Sequence, residues 1–179
     1  ETLGSVTVIC SDKTGTLTEN RMAVTVIETA GELIDLSTLD PGAAITPRAR
    51  LVLTAGVLAN DAQLGPDSAG EMRVLGDPTE GALLIAAQRA GLDPRALQTS
   101  MPRVAELPFD SVRKRMTTVH DLRSANGSAP TGLTALTDDA RSPERVAFVK
   151  GAVDGLLDLA THVWDGTARR PMTADWRGR

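Results

Sequence analysis

Apolar residues recur at two periods along this chain, one suited to helices and one to strands. Val6-Thr7-Val8-Ile9-Cys10 is a short, β-branched apolar run, which reads as a buried strand of a parallel sheet. Asp12 follows just past its carboxyl end, where open α/β sheets place their ligands. Residues 28–46 are rich in Gly, Asp, Ser, Thr and Pro and read as an irregular linker. Thr46-Pro47 then has the form of an N-cap followed by Pro at the first helical position. Leu51, Val52, Ala55, Leu58 and Ala59 recur at helical spacing behind it, and Asn60 reads as the stop. Residues 61–76 are turn-rich, with a short strand at 72–75. Asp77-Pro78-Thr79-Glu80 opens a second helix whose stripe is Leu83, Ala86, Ala87 and Ala90, ended by Gly91.

Past residue 100 the pattern turns to strands. Val104 to Phe109 reads as an edge strand or strand end, because Pro108 interrupts it. Met116 to Leu122 and Arg145 to Lys150 read as two more strands. Residues 123–144, with Asn126-Gly127, read as a long solvated hairpin connection and the most mobile internal stretch. Ala152 to Ala160 reads as a helix with Val153, Leu156, Leu157 and Ala160 inward. Hairpins join some strands and helices others, which predicts an α+β fold for the bulk of the chain.

Composition narrows the function classes. The 179 residues are 41% hydrophobic and 23% charged, a globular balance. The net charge of −4 argues against a nucleic-acid or anionic-membrane surface. The single cysteine, Cys10, excludes a disulfide framework and a cysteine-based zinc site. No apolar run approaches the roughly 20 residues of a membrane span. His120 and His162 lie far apart, without metal-ligand spacing. The chain opens on Glu1, which suggests a piece of something larger. Only three of the 19 basic residues are lysine: Lys13, Lys114 and Lys150. A compact ammonium is not interchangeable with arginine's planar fork, so each lysine is a candidate for a specific role.

Asp12-Lys13-Thr14-Gly15-Thr16-Leu17-Thr18 carries the clearest chemistry. A carboxylate at a strand end can attack phosphorus. Lys13 can offset phosphate charge, and the threonine hydroxyls can donate to phosphoryl oxygens. Read as residues alone, the aspartate also fits a tight structural turn.

These seven residues resemble the phosphorylation motif of P-type ATPases. The resemblance implies that Asp12 is the phosphoryl acceptor, with Lys13 and Thr14 beside it and with Asp12 and Thr14 facing Mg²⁺. Dehalogenase-type phosphatases carry a second acidic residue where this chain has Thr14. Without that general acid/base an aspartyl phosphate persists, as a pump requires.

The likeness continues along the chain. Gly76 to Leu83 is similar to the first nucleotide motif of the family, which implies that Glu80 hydrogen-bonds the adenine side of ATP. Read locally, Asp77…Glu80 is also a capping-box variant in which Glu80 turns back to its own backbone. Leu107-Pro108-Phe109-Asp110-Ser111-Val112-Arg113-Lys114-Arg115-Met116 resembles the adenine-stacking segment. That implies Phe109 on the adenine ring and Lys114 in the nucleotide pocket, with Ser111 where some relatives have arginine. Phe148-Val149-Lys150-Gly151-Ala152 resembles the family's Lys-Gly-Ala motif, followed here by Val153 and Asp154 in place of Pro and Glu. It implies Lys150 near the nucleotide and Gly151 admitting the backbone close to it.

The resemblance as a whole implies ATP and Mg²⁺ as cofactors. It implies an antiparallel sheet flanked by helices over residues 28–179, a C-terminally incomplete nucleotide-binding domain. Before it, residues 1–27 would be the first strand and loop of a dehalogenase-like α/β phosphorylation domain. The partners implied are the remaining phosphorylation, actuator and transmembrane domains of a pump in the plasma membrane, with this portion cytoplasmic and monomeric by itself. Neither histidine is followed by proline, so the likeness is to the branch that pumps calcium, other light cations or protons. A free-standing dehalogenase-type phosphatase and a non-catalytic remnant are the alternatives.

Overall fold

The computed structural model describes residues 22–66, 72–122, 133 and 144–178. The predicted strand at 6–10, with Asp12, Lys13 and Thr14, lies outside them, as does nearly all of the 123–144 connection.

The described chain opens on a hairpin. Strand β1 (Val26–Thr29) pairs antiparallel with β2 (Glu32–Asp35), Thr29 opposite Glu32. The two linking residues, Ala30 and Gly31, both have positive φ, 48° and 83°, as the tight turns matching strand twist require. The linker reading of 28–46 is therefore corrected over residues 28–35. Ile27 and Thr29 alternate inward, and two four-residue strands suffice when one face meets a core.

Helix α1 (Pro47–Leu58) begins as the sequence predicts. Thr46 is the N-cap, its hydroxyl accepting from Ala49 N–H at 3.3 Å. The stripe is differently placed. Ala49, Leu53 and Val57 join one core, with Leu84, Ala86 and Ala87 of helix α2 (Pro78–Arg89), while Leu58 and Ala59 join a second with Met101 and Phe148. The helix is apolar on two sides, and Val52, expected inward, is 46% exposed. In α2 it is Leu84, not Leu83, that is fully buried. Asp77 caps this helix, accepting from Thr79 and Glu80 N–H at 2.8 and 3.1 Å. Those amides, Glu80's foremost, hold its carboxyl below the usual carboxylate range, and Lys150's charge adds to the effect.

Between the helices lies a second ladder, β3 (Gln63–Pro66) antiparallel to β4 (Met72–Leu75). A Cβ added at Gly81 of α2 would fall 2.1 Å from a methyl of Val74, so this helix rests on β4 through a glycine. A short helix, α3 (Pro94–Ser100), capped by Asp93, follows.

The remaining strands form a three-stranded antiparallel sheet in the order β5-β6-β7: β5 (Arg103–Asp110), β6 (Arg115–Asp121) and β7 (Arg145–Gly151). Pro108 falls where sequence places an edge, and β5 is an edge strand. Its register slips between Leu107 and Asp110, so Pro108 and Phe109 both lie opposite the level of Met116. Met116, Thr118 and His120 alternate inward from β6, at most 2% exposed, with Phe148 of β7 on the same side.

Helix α4 (Val153–Leu159) forms as predicted but buries no residue. Val153, expected inward, is 70% exposed. Strands β8 (His162–Trp164) and β9 (Arg169–Pro171) and a single turn of helix, α5 (Ala174–Arg177), complete the described chain. Small antiparallel ladders beside helices make it α+β, with four separate sheets among the described residues in place of one. No helix among the described residues is long and apolar enough to cross a membrane.

Candidate functional site

The three-stranded sheet gathers the predicted ligand residues at one end. Phe109 is the penultimate residue of β5, Lys114 lies in the β5–β6 turn, and Lys150 and Gly151 end β7. The turn is built by Asp110. Its carboxylate accepts from Val112 and Arg113 N–H at 3.0 and 2.8 Å, and its carbonyl accepts from Lys114 N–H at 2.7 Å. Lys114 thereby adopts φ 52°. Its carbonyl in turn accepts from Ala152 N–H at 3.1 Å, tying the turn to the β7–α4 junction.

Gly151 sits opposite Arg115. A Cβ there would fall 2.3 Å from the Lys114 carbonyl oxygen, far inside contact distance. The close approach that this glycine permits among the described residues is to the chain's own backbone.

Lys150 lies opposite Met116, on the face of the sheet that carries Phe148. Its ammonium forms an ion pair and hydrogen bond with Glu80 Oε1. Glu80 Oε2 accepts from Asp61 N–H at 2.9 Å and Ala62 N–H at 3.2 Å. The carboxylate therefore does not turn back to its own helix as in a capping box; it bridges the α1–β3 connection to the end of β7. Sequence reasoning read Asn60 only as a helix stop and passed over Asp61 and Ala62. The contact spans 18 to 19 residues, and no local pattern reports it.

Phe109 is 64% exposed and so takes no part in the core. The other phenylalanine, Phe148, is buried, its ring 5.7 Å from that of His120 and inclined to it at 66° in an edge contact. An exposed aromatic at the same end of the sheet as two lysines and the Glu80–Lys150 pair offers a flat apolar surface, cations for an anion and an acceptor for an N–H donor. Ser111 and Arg113 stay on the rim, Arg113 donating to the Pro108 carbonyl at 2.8 Å. Among the described residues no group of three or more His, Cys, Asp or Glu side chains could hold a metal ion.

A cavity of about 290 Å³ lies at the other end of β5 and β6, lined by Met101, Arg103, His120, Gln63 and Gln98. Asn60, Asp61 and Ala62 also line it, and the amides of the last two bond Glu80.

Comparison with known proteins places the chain in a family. The family described as P-type ATPase, cytoplasmic domain N, matches residues 48–179. The probable cation-transporting ATPase F of Mycobacterium tuberculosis is 38% identical over 187 aligned positions, 96% of this chain and 18% of the relative. Calcium-transporting ATPase 1 of Lactococcus lactis is 37% identical over 168 positions, 92% of this chain and 16% of the relative. Calcium-transporting ATPase 1 of Bacillus cereus is 39% identical over 163 positions, 91% of this chain and 15% of the relative. The chain thus spans less than a fifth of the length of these relatives. With that family matching residues 48–179 and these relatives 37–39% identical over more than nine-tenths of the chain, the chain belongs to the P-type ATPases.

Proposed function

We propose that this chain carries the ATP-binding surface of a cation-transporting P-type pump. In the intact pump, ATP phosphorylates Asp12 to drive ion movement. Calcium or another light cation is the proposed cargo, in keeping with the names of the relatives. Residues 28–179 are assigned to nucleotide binding and 1–27 to phosphorylation, both on the cytoplasmic side of the plasma membrane. The carrying observation is the convergence of Phe109, Lys114 and the Glu80–Lys150 pair at one end of the β5–β7 sheet.

Each residue suits a different part of the nucleotide. Phe109 presents its face to the base. Glu80 accepts an N–H from the adenine edge. Lys114 and Lys150 offset phosphate charge as compact cations. Asp12 then serves as nucleophile: its carboxylate oxygen bonds the γ-phosphorus, and the bond to the bridging oxygen breaks with its electron pair leaving on ADP. The product is an aspartyl phosphate. Mg²⁺ neutralises charge between carboxylate and phosphate in such transfers. By the resemblance Asp12 and Thr14, outside the described residues, would hold it. Thr14, lacking a carboxylate, leaves water unactivated and the phosphoenzyme long-lived. By itself the chain binds ATP as a monomer and turns nothing over.

Titration of the chain with ATP tests the reading. Phe109→Ala is expected to weaken binding by about 1–3 kcal/mol, roughly 5- to 150-fold, by analogy with base stacking on aromatics. Its stability should be nearly unchanged, because the ring is exposed. Unaltered ATP affinity in that variant would remove Phe109 from the site.

A further inference from the structure

We infer that Asn60 is a positioning residue that aims the Glu80 carboxylate and so sets selectivity for the base of the nucleotide. The inference rests on the adenine-facing reading of Glu80 and adds a residue that itself stays away from the ligand.

Asn60 is 2% exposed and its carboxamide is used at both ends. Nδ2 donates to the Gly56 carbonyl at 3.0 Å and to the Glu80 carbonyl at 2.8 Å. Oδ1 accepts from Ala62 N–H at 2.9 Å. One side chain thus ties the last turn of α1, the first turn of α2 and the start of β3 together. Arg103 reinforces the same stretch, donating to the Asn60 carbonyl at 2.6 Å and to the Asp61 carboxylate at 2.7 Å.

The consequence falls on Glu80. Its Oε2 is held by the two amides of Asp61 and Ala62, and those amides point inward only while the chain folds around Asn60. Oε1 receives Lys150. A carboxylate offers about four acceptor sites; with three taken, one remains to meet a donor. A fixed acceptor favours a base edge that presents an amine, as adenine does. It disfavours one that presents a carbonyl, as hypoxanthine does, because two acceptors would face each other with no proton between them. A carboxylate free to turn away loses that discrimination while keeping its charge.

The test compares ATP with inosine triphosphate, binding each to the wild-type chain and to Glu80→Gln, Asn60→Ala and the double variant. Asn60→Ala should lower the ATP-to-ITP affinity ratio about fivefold or more and have no further effect on that ratio in the Glu80→Gln background. If Asn60→Ala does not fold, Asn60→Ser, whose hydroxyl can still accept from Ala62 N–H, takes its place with a smaller expected fall. Independently, Glu80→Gln should move the backbone amide resonances of Asp61 and Ala62. Unmoved amides overturn the inference. So does an equal loss of both nucleotides with the ratio kept, which marks a merely structural asparagine. A wild-type ratio in Glu80→Gln itself overturns instead the adenine-facing reading of Glu80. A collapsed ratio in Glu80→Gln with an intact one in Asn60→Ala leaves that reading standing and sinks the inference.

Discussion

The stretch from α1 to Leu92 and the stretch from β5 to α5 are built on opposite plans. In the first, α1 and α2 each bury five residues, and Leu53, Val57, Leu84 and Ala87 are at most 2% exposed. In the second, all eight residues of β5 are exposed and neither α4 nor α5 buries any. The sheet there closes one face only, through Met116, Thr118, His120 and Phe148. Candidate ligand groups come from both: Glu80 from the packed stretch, Phe109, Lys114 and Lys150 from the open one. A rigid carboxylate is thereby set against accessible aromatic and cationic groups, and the Glu80–Lys150 pair is where the two plans meet.

Stability variants measure how deep that contrast runs. Leu84→Ala removes a fully buried side chain and is expected to cost about 2–5 kcal/mol. Val153→Ala, on the open stretch, should stay within about 0.5 kcal/mol. Urea unfolding of the two variants gives both numbers, and similar losses would mean that α4 is packed as tightly as α2.

Two glycines sharpen the comparison inside the open stretch. A Cβ at Gly151 meets backbone at the Lys114 carbonyl, whereas one at Gly155 in α4 meets nothing within 4 Å. Gly151→Ala should therefore destabilise by about 1–3 kcal/mol. Gly155→Ala should stabilise by about 0.4–1 kcal/mol through the unfolded chain's lost freedom. Thermal midpoints moving in the same direction would contradict the assignment of the close contact to one site and open space to the other.

Helices α1 and α2 were legible because each opens on a side-chain cap followed by proline and continues at helical spacing. The sequence signal for α3 was equally present in Asp93-Pro94, but the helix is too short for a periodic stripe. The hairpin of β1 and β2 was hidden because Ala30-Gly31 lacks the asparagine that usually marks such turns, and because its strands are four residues long. Strand β3 reads as turn from Gly65 and Pro66. In α4, Leu156 and Leu157 are half-buried as their spacing suggests, but Val153 has no element to meet. The candidate ligand residues were legible as motifs. Their support was not: Asn60, Asp61 and Ala62 reach Glu80 across the fold rather than along it.

A smaller effect probes the one closed face of the open stretch. His120 is buried, and its Nδ1 lies 2.7 Å from the Met101 carbonyl. Burial, with the nearby Arg103 charge adding to it, pushes the imidazole below its ordinary value. The unfolded chain then takes up this proton first. Its contribution to stability is full above about pH 6.5 and is lost as pH falls from there toward the lowered folded value. His120→Gln should flatten that part of the pH profile of unfolding. A profile unchanged by the substitution would show that other groups govern it.

Lys114 holds a left-handed backbone, φ 52°, at a turn where glycine would rest without strain. A lysine there costs on the order of 1 kcal/mol relative to glycine. Lys114→Gly should accordingly give a chain that melts higher and binds ATP more weakly, two changes of opposite sign from one substitution. If that pair of changes is seen, the β5–β6 turn is a place where the most durable sequence and the most useful one differ by a single side chain.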